Sequence, residues 1–339
     1  MSRAHVVVRG TAVHVPGLAP DALADVVRVE PDACSAEDAH KVLGRKGLLY
    51  KEQATRLALC AAQRALGLPP GRVTTPVPGA ERTAVVVSSN LGNLETVCTI
   101  AATVRTAGYR DVSPLQTPNA SSNVIASTLA IRFGLTGPNV MLCNGATSGA
   151  DAVRVAARLL RARRADRALV VGVEPDDEIS SRLLAQGDDS QEARPLTAAA
   201  GALVLERADD PAGEDLLVTS AGVVPPGAGL PAAPVAEPGQ LLLVAAGLAP
   251  HPHHDGSLVV DLTARIGETY GAHGVLQAAL AAAWLRQLPA ERRTASAGAV
   301  CGNAADGYAS LALRRGPAPV AHIPAQQPVA AVLATAGRA

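Results

Sequence analysis

The run Gly137-Pro138-Asn139-Val140-Met141-Leu142-Cys143-Asn144-Gly145-Ala146-Thr147-Ser148-Gly149-Ala150-Asp151 constrains this chain more than any other segment. It reads as a buried apolar strand, a sharp turn of small residues, and a helix over Ala150 to Arg163. An elbow of this kind presents its tip residue at a helix N-terminus, where free backbone N–H groups and the helix dipole lower the pKa of a thiol. The tip residue is Ala146, a bare methyl group where a nucleophile is expected.

Strand-like and helix-like runs alternate on both sides of the elbow, the pattern of layered α/β proteins. Arg82 to Ser88 and Arg167 to Val173 are short Val-rich strands, and Asp151 to Arg164 between the elbow and the second completes a β-α-β unit. Lys51 to Leu66 carries a helical stripe at Ala54, Leu57, Ala58, Ala61, Ala62 and Ala65, ended by Gly67 and two prolines. At 339 residues the chain exceeds what one simple core serves, so two halves or layered sheets are expected. Aromatic residues are only 2% of a chain that is 48% hydrophobic, which leaves Ala, Val and Leu to pack helices closely onto sheets. The stretch Asp209 to Pro238 is rich in Gly, Pro and Ala and reads as broken, which places the join near Glu206 and gives halves of residues 1–206 and 207–339.

The elbow and its surroundings resemble the β-ketoacyl synthase branch of the thiolase-fold superfamily. In that family a Gly-Pro pair leads through a hydrophobic strand to a Thr-Ala-Cys-(Ser/Thr)-Ser-Gly turn. Counting from Gly137 puts the family cysteine on Ala146, with Thr147, Ser148 and Gly149 matching its flank. The segment Ser113 to Asn119, followed by Asn123 to Leu135, resembles the family sequence before that Gly-Pro pair. His5 to Val13 resembles the opening strand, Gly201 to Glu206 the strand closing the first half, and Cys301 to Leu313 the closing glycine-rich turn and strand. The resemblance implies a thiolase-like five-layered α-β-α-β-α fold made of two pseudo-symmetric halves.

Condensing members of this family use a thiolate to carry the acyl group and two histidines to drive decarboxylation, because donors near the developing enolate oxygen lower the barrier. The segment matching one histidine motif reads Gly267-Glu268-Thr269-Tyr270-Gly271-Ala272-His273-Gly274, with Glu268 in place of the histidine. The other motif has no counterpart. Ala146 and Glu268 are thus degenerate catalytic positions, and no catalytic residue is assigned. The resemblance then narrows to the family's non-catalytic subunit, the chain-length factor, which pairs with an active ketosynthase in type II polyketide systems. It implies a heterodimer acting with an acyl carrier protein. In that arrangement the strand Asn139, Val140, Met141 and Leu142 pairs with the partner across the dimer. Leu115, Gln116, Thr117 and Asn119, at the tip of the preceding loop, either form the floor of the partner's acyl tunnel or merely pack the contact. A repurposed thiolase-fold acyltransferase or hydrolase using Glu268, His273 or Cys143 stays open as the alternative.

Net charge is zero, which argues against nucleic acid as the main partner because phosphate binding needs concentrated positive surface. The basic run Arg158, Arg161, Arg163, Arg164 and Arg167 reads as a solvated helix end, with a carrier-protein contact as the other reading. No apolar stretch reaches the ~20 residues needed to cross a bilayer, and the chain enters its first strand without a charged leader, so neither a membrane nor a signal peptide is expected. The five cysteines, 34, 60, 98, 143 and 301, are odd in number and lack short metal-type spacing, so a reducing cytoplasm is expected and no metal or cofactor is assigned. His251-Pro252-His253-His254-Asp255 reads as a solvated loop rather than a metal site, and Cys143 as a small hydrophobe inside its strand. His273 reads as a hydrogen-bonded core residue, and Glu174 resembles a family position that organises loops around the site.

Overall fold

A computed structural model describes residues 4–27, 33–187, 195–227, 240–245, 248, 257–289, 292 and 295–316. The strands are β1 (His5–His14), β2 (Thr83–Ser88), β3 (Asn139–Leu142), β4 (Arg167–Glu174), β5 (Ala199–Ala208), β6 (Leu216–Val224), β7 (Leu241–Val244), β8 (Leu258–Asp261), β9 (Ser296–Asn303) and β10 (Gly307–Arg315). The helices are α1 (His40–Leu43), α2 (Gln53–Ala65), α3 (Leu94–Thr106), α4 (Val124–Phe133), α5 (Ser148–Arg161), α6 (Glu178–Gly187), α7 (Leu262–Ile266) and α8 (His273–Gln287).

The strands lie in the order β3-β2-β4-β5-β1-β6-β10-β9-β7-β8. Renumbered within each half, both halves read 3-2-4-5-1, one as the mirror image of the other along the sheet. The senses repeat as well: β2 pairs in parallel with β3 and β4, as β7 does with β8 and β9, while β5 and β10 run antiparallel to their neighbours. The expected pseudo-symmetry is therefore present. Among the described residues the halves pair as strands at one position, Val7 opposite Leu217.

Alternation along the strands sets the layers. Ala84 and Val86 of β2 and Ala168 and Val170 of β4 face a core shared with α5, α8 and strands of the second half. Val85, Val87, Leu169 and Val171 face a second core against α2 and α4. Helix α8 is apolar nearly all round and touches strands from both halves of the ten-stranded sheet, as a helix buried between them must be. Helices α5 and α8 approach so closely that a Cβ on Gly149 would stand 2.8 Å from the Gly274 nitrogen and 2.9 Å from the Gly271 oxygen. The outer face of the second half carries a small cluster of Leu242, Val244, Leu248 and Val300.

Several boundaries differ from expectation. Helix α5 begins at Ser148, inside the small-residue turn, because the 3-10 turn Gly145–Thr147 feeds directly into it. Strand β5 runs to Ala208, past the expected join at Glu206. Residues read as broken contain β6, whose Leu216, Leu217 and Val218 are buried in register with β10. No helix among the described residues is long and apolar enough to cross a membrane.

Candidate functional site

The parallel strands β2, β3 and β4 end side by side at Ser88, Leu142 and Glu174, and the elbow rises from these ends. Gly145, Ala146 and Thr147 are buried in the turn. Gly145 adopts φ 80°, and a Cβ there would fall on the Asp306 carboxyl group, so glycine is required on both counts.

Two residues lock the base of the turn. The Asn90 side chain accepts from Gly145 N at 2.9 Å and donates to Gly145 O at 3.2 Å, imitating a strand partner. Glu174 is fully buried at the end of β4. It accepts from Asn90 N (2.7 Å), Leu91 N (3.0 Å), Ser89 Oγ (3.1 Å) and Asn90 Nδ2 (3.1 Å). Burial pushes its carboxyl up to about 7, against the pull of those donors. The loop-organising part expected of Glu174 is what these bonds describe.

The tip amide is already engaged. Ala146 N donates to Asp306 Oδ2 at 2.8 Å, and the same oxygen accepts from Asn303 Nδ2 at 3.1 Å and the Tyr270 hydroxyl at 3.3 Å. Asp306 is set in place by the β9–β10 hairpin, where its own N–H donates to Asn303 Oδ1 at 2.7 Å. Burial first and the Asp306 charge second raise the Tyr270 phenol. A carboxylate therefore sits on the amide that would otherwise be free to receive a developing negative charge. Neither Asp306 nor Asn90 was singled out in the sequence. Their signals are the polar Ser88-Ser89-Asn90 step after a Val-rich strand and the Asp-Gly pair of a hairpin turn.

The segment matched to the histidine motif packs against the elbow through the turn Tyr270–Ala272. Glu268 is half-buried, and its Oε1 accepts from Tyr270 N at 2.6 Å, which spends the carboxylate on a local turn. Tyr270 has φ 38°, a strained conformation for a bulky residue, held by that bond and by Asp306. His273 is buried with Nδ1 2.9 Å from Thr269 Oγ1, and burial pushes it down to about 4, so it is a neutral core residue as expected. Cys143 is not inside the strand: β3 stops at Leu142, and the exposed Cys143 thiol donates to Ser89 O at 3.1 Å. Partial burial of the sulfur beneath the exposed residue, and second the charge of Glu174, raise this thiol.

Strand β3 is an edge of the sheet. Val85 N donates to Pro138 O and Ser89 N to Leu142 O, so the main-chain groups of Asn139 and Met141, one step out of phase, face the open side. Asn139 is exposed, and Val140, Met141 and Leu142 are half-buried. Of the loop residues, Leu115, Gln116 and Thr117 are exposed, whereas Asn119 is buried and donates to Tyr50 O. Asn119 is therefore an anchor beneath the tip and not part of it. Helix α3 buries none of its residues, and Val97, Val104, Tyr109, Leu115 and Ile131 expose apolar surface; α3 touches the turn Thr117–Ala120, that turn touches α4, and α4 packs against β3. Arg158, Arg161, Arg163 and Arg164 are exposed, as a solvated helix end requires, and the histidine run 251–255 lies outside the described residues.

This strand order, with two central helices meeting at glycines beneath an elbow, is the thiolase-like fold of ketosynthases. Residues 45–209, just under half of the chain, match the family described as Beta-ketoacyl synthase, N-terminal domain. The 3-oxoacyl-[acyl-carrier-protein] synthase 2 of Vibrio cholerae is 35% identical over 95 residues, 28% of this chain and 23% of the length of that synthase. The synthase of the same name from Rhizobium meliloti is 34% identical over 92 residues, 27% of this chain and 22% of its own. The aligned stretches thus span less than a quarter of these relatives. Among solved structures, the ishigamide ketosynthase/chain length factor aligns with TM-score 0.68 and 23% identity over 92% of this chain and 99% of that one. A type II polyketide synthase acyl-carrier protein in complex with its ketosynthase bound to the hexaketide aligns with TM-score 0.66 and 14% identity, covering 92% and 99%.

Proposed function

We propose that the chain is a non-catalytic, chain-length-factor-like subunit that pairs with an active ketosynthase and shapes its acyl tunnel in type II polyketide biosynthesis, with an acyl carrier protein serving the complex. The observation that carries this reading is the elbow itself. Its tip is a methyl group, and its tip amide is bound by the chain's own Asp306 carboxylate. A thioester carbonyl arriving there would meet neither a nucleophile nor a free donor, and a fixed negative charge would repel an oxyanion. The open edge of β3 and the exposed apolar side chains beside it support a protein partner on that face, because an unpaired strand edge left in water is an aggregation hazard. The structural neighbours, one a ketosynthase/chain length factor and one a ketosynthase with its carrier protein, have the fold such a pair would use.

The repurposed-enzyme reading gains one observation, the exposure of Cys143, and loses by its chemistry, since its thiol is raised rather than lowered. Two measurements separate the readings. Co-expression with a ketosynthase is expected to give a stable heterodimer. Incubation of this chain alone with acylated carrier protein is expected to leave it free of acyl adduct by mass spectrometry. An acyl group captured on any residue, or failure to co-purify with a ketosynthase whose tunnel it alters, refutes the proposal.

A further inference from the structure

Three side chains with no short spacing in the sequence meet away from the elbow: His14 at the end of β1, Cys34 in the segment before α1, and Cys60 within α2. A ring nitrogen of His14 and the sulfurs of Cys34 and Cys60 all lie within 4.8 Å of one another. Ligands bound ~2.0–2.3 Å from one tetrahedral zinc ion stand about 3.5–3.8 Å apart, so small side-chain rotations bring the three to coordination distance.

The histidine carries the decisive detail. His14 is fully buried, its Nε2 lies 2.9 Å from the main-chain oxygen of Cys34, and its Nδ1 has no hydrogen-bond partner. A carbonyl only accepts, so Nε2 holds the proton and Nδ1 presents a lone pair with nothing to receive it. Leaving a buried acceptor unmet is costly, and anchoring one ring N–H on a backbone carbonyl is how ligating imidazoles are oriented. Cys60 is buried and Cys34 half-buried, which gives the cluster a closed floor and an approach from the Cys34 side.

We propose that His14, Cys34 and Cys60 form a binding site for one thiophilic d10 cation of the zinc type, stapling the end of β1 and the segment around Cys34 to α2. Binding makes two metal–sulfur bonds and one metal–nitrogen bond and releases the two thiol protons to solvent, leaving a divalent ion and two thiolates with no net charge; water from the Cys34 side completes the shell. The cysteine spacing gave no sign of such a site, because the ligands come from three separate elements.

The test uses the full chain, kept reduced, with Co2+ as the probe. One Co2+ per chain is expected, with thiolate-to-metal charge-transfer absorption that excess Zn2+ abolishes. The histidine run 251–254 has no sulfur and cannot produce that band. Cys34→Ser and His14→Gln are each expected to weaken Co2+ binding by more than the ~10–100-fold that loss of an outer-shell partner costs, whereas Cys98→Ser leaves it unchanged. Cys34 is half-exposed, so its serine variant folds even if a Cys60 variant does not. No charge-transfer band in the reduced chain, or a band of undiminished affinity in Cys34→Ser, overturns the proposal. So does a reduced chain that binds no Co2+ but forms a Cys34–Cys60 disulfide in air.

Discussion

Asp306 fixes what the elbow can host, and a restored thiol measures its effect. In a Cys143→Ser background, Ala146→Cys places a sulfur on the residue whose amide nitrogen is 2.8 Å from the Asp306 carboxylate. A thiolate ~4–5 Å from that charge, at an effective dielectric constant of about 20, would be repelled by ~3–4 kcal/mol. Asp306 is half-exposed, and solvent screening leaves about half of that or less, ~1.5–2 kcal/mol, a little over one pKa unit. Adding Asp306→Asn removes the charge and keeps an oxygen for the Ala146 N–H. At pH 7 a thiol pKa lowered by ~1–1.5 units gives ~10–30-fold more thiolate, and the accompanying fall in intrinsic nucleophilicity returns roughly half of the gain on a logarithmic scale. Iodoacetamide should therefore alkylate the introduced thiol about 3–6 times faster when Asp306→Asn accompanies Ala146→Cys, read by quenched mass spectrometry. Equal rates within a factor of two would mean that the carboxylate does not act on the tip and does not bar anionic chemistry there. Condensation is expected from neither variant.

Further outcomes follow from other parts of the molecule. His273 stays neutral when folded, with its pKa pushed down to about 4 from 6.5. The unfolded chain therefore binds this proton first, and stability present above pH 6.5 is lost as pH falls toward 4, by up to about 3 kcal/mol; denaturant titrations of His273→Gln should lose that slope. Met141→Pro removes an N–H from the open side of β3 without touching the ladder to β2, so circular dichroism should be retained while the heterodimer is lost. Gln116→Phe or Thr117→Phe should shorten the products of the complex, and unchanged products would leave the loop a packing contact. Gly149→Ala drives a methyl group against the Gly274 nitrogen and Gly271 oxygen and should cost upwards of about 1–3 kcal/mol or abolish soluble expression.

Much of the fold was legible because its signals are local. The Val-rich runs that become β2 and β4 and the alanine stripe of α2 depend on neighbouring residues alone, and the elbow motif fixed the β-α-β unit around it. Strand β6 was missed because its three buried residues lie in a stretch of Gly, Pro and Ala, and only β10 across the sheet makes them a strand. At the site, the missing thiol could be read directly, but not the carboxylate that covers its amide, because 160 residues separate Ala146 from Asp306. Cys143 was misplaced by a single residue at a strand end, where side-chain direction reverses with each step. Asn119 was taken for a loop tip because nothing local announces its bond to Tyr50.

The strand-to-strand contact at Val7 and Leu217, the one between the halves among the described residues, bears on how such a chain can change. Since α5 and α8 lie wedged between strands of both halves, the core around them belongs to neither half alone, and each supplies walls to it. Exchanging one half for that of a distant cousin would leave helices cut for the wrong joint, so the two must drift in step or not at all.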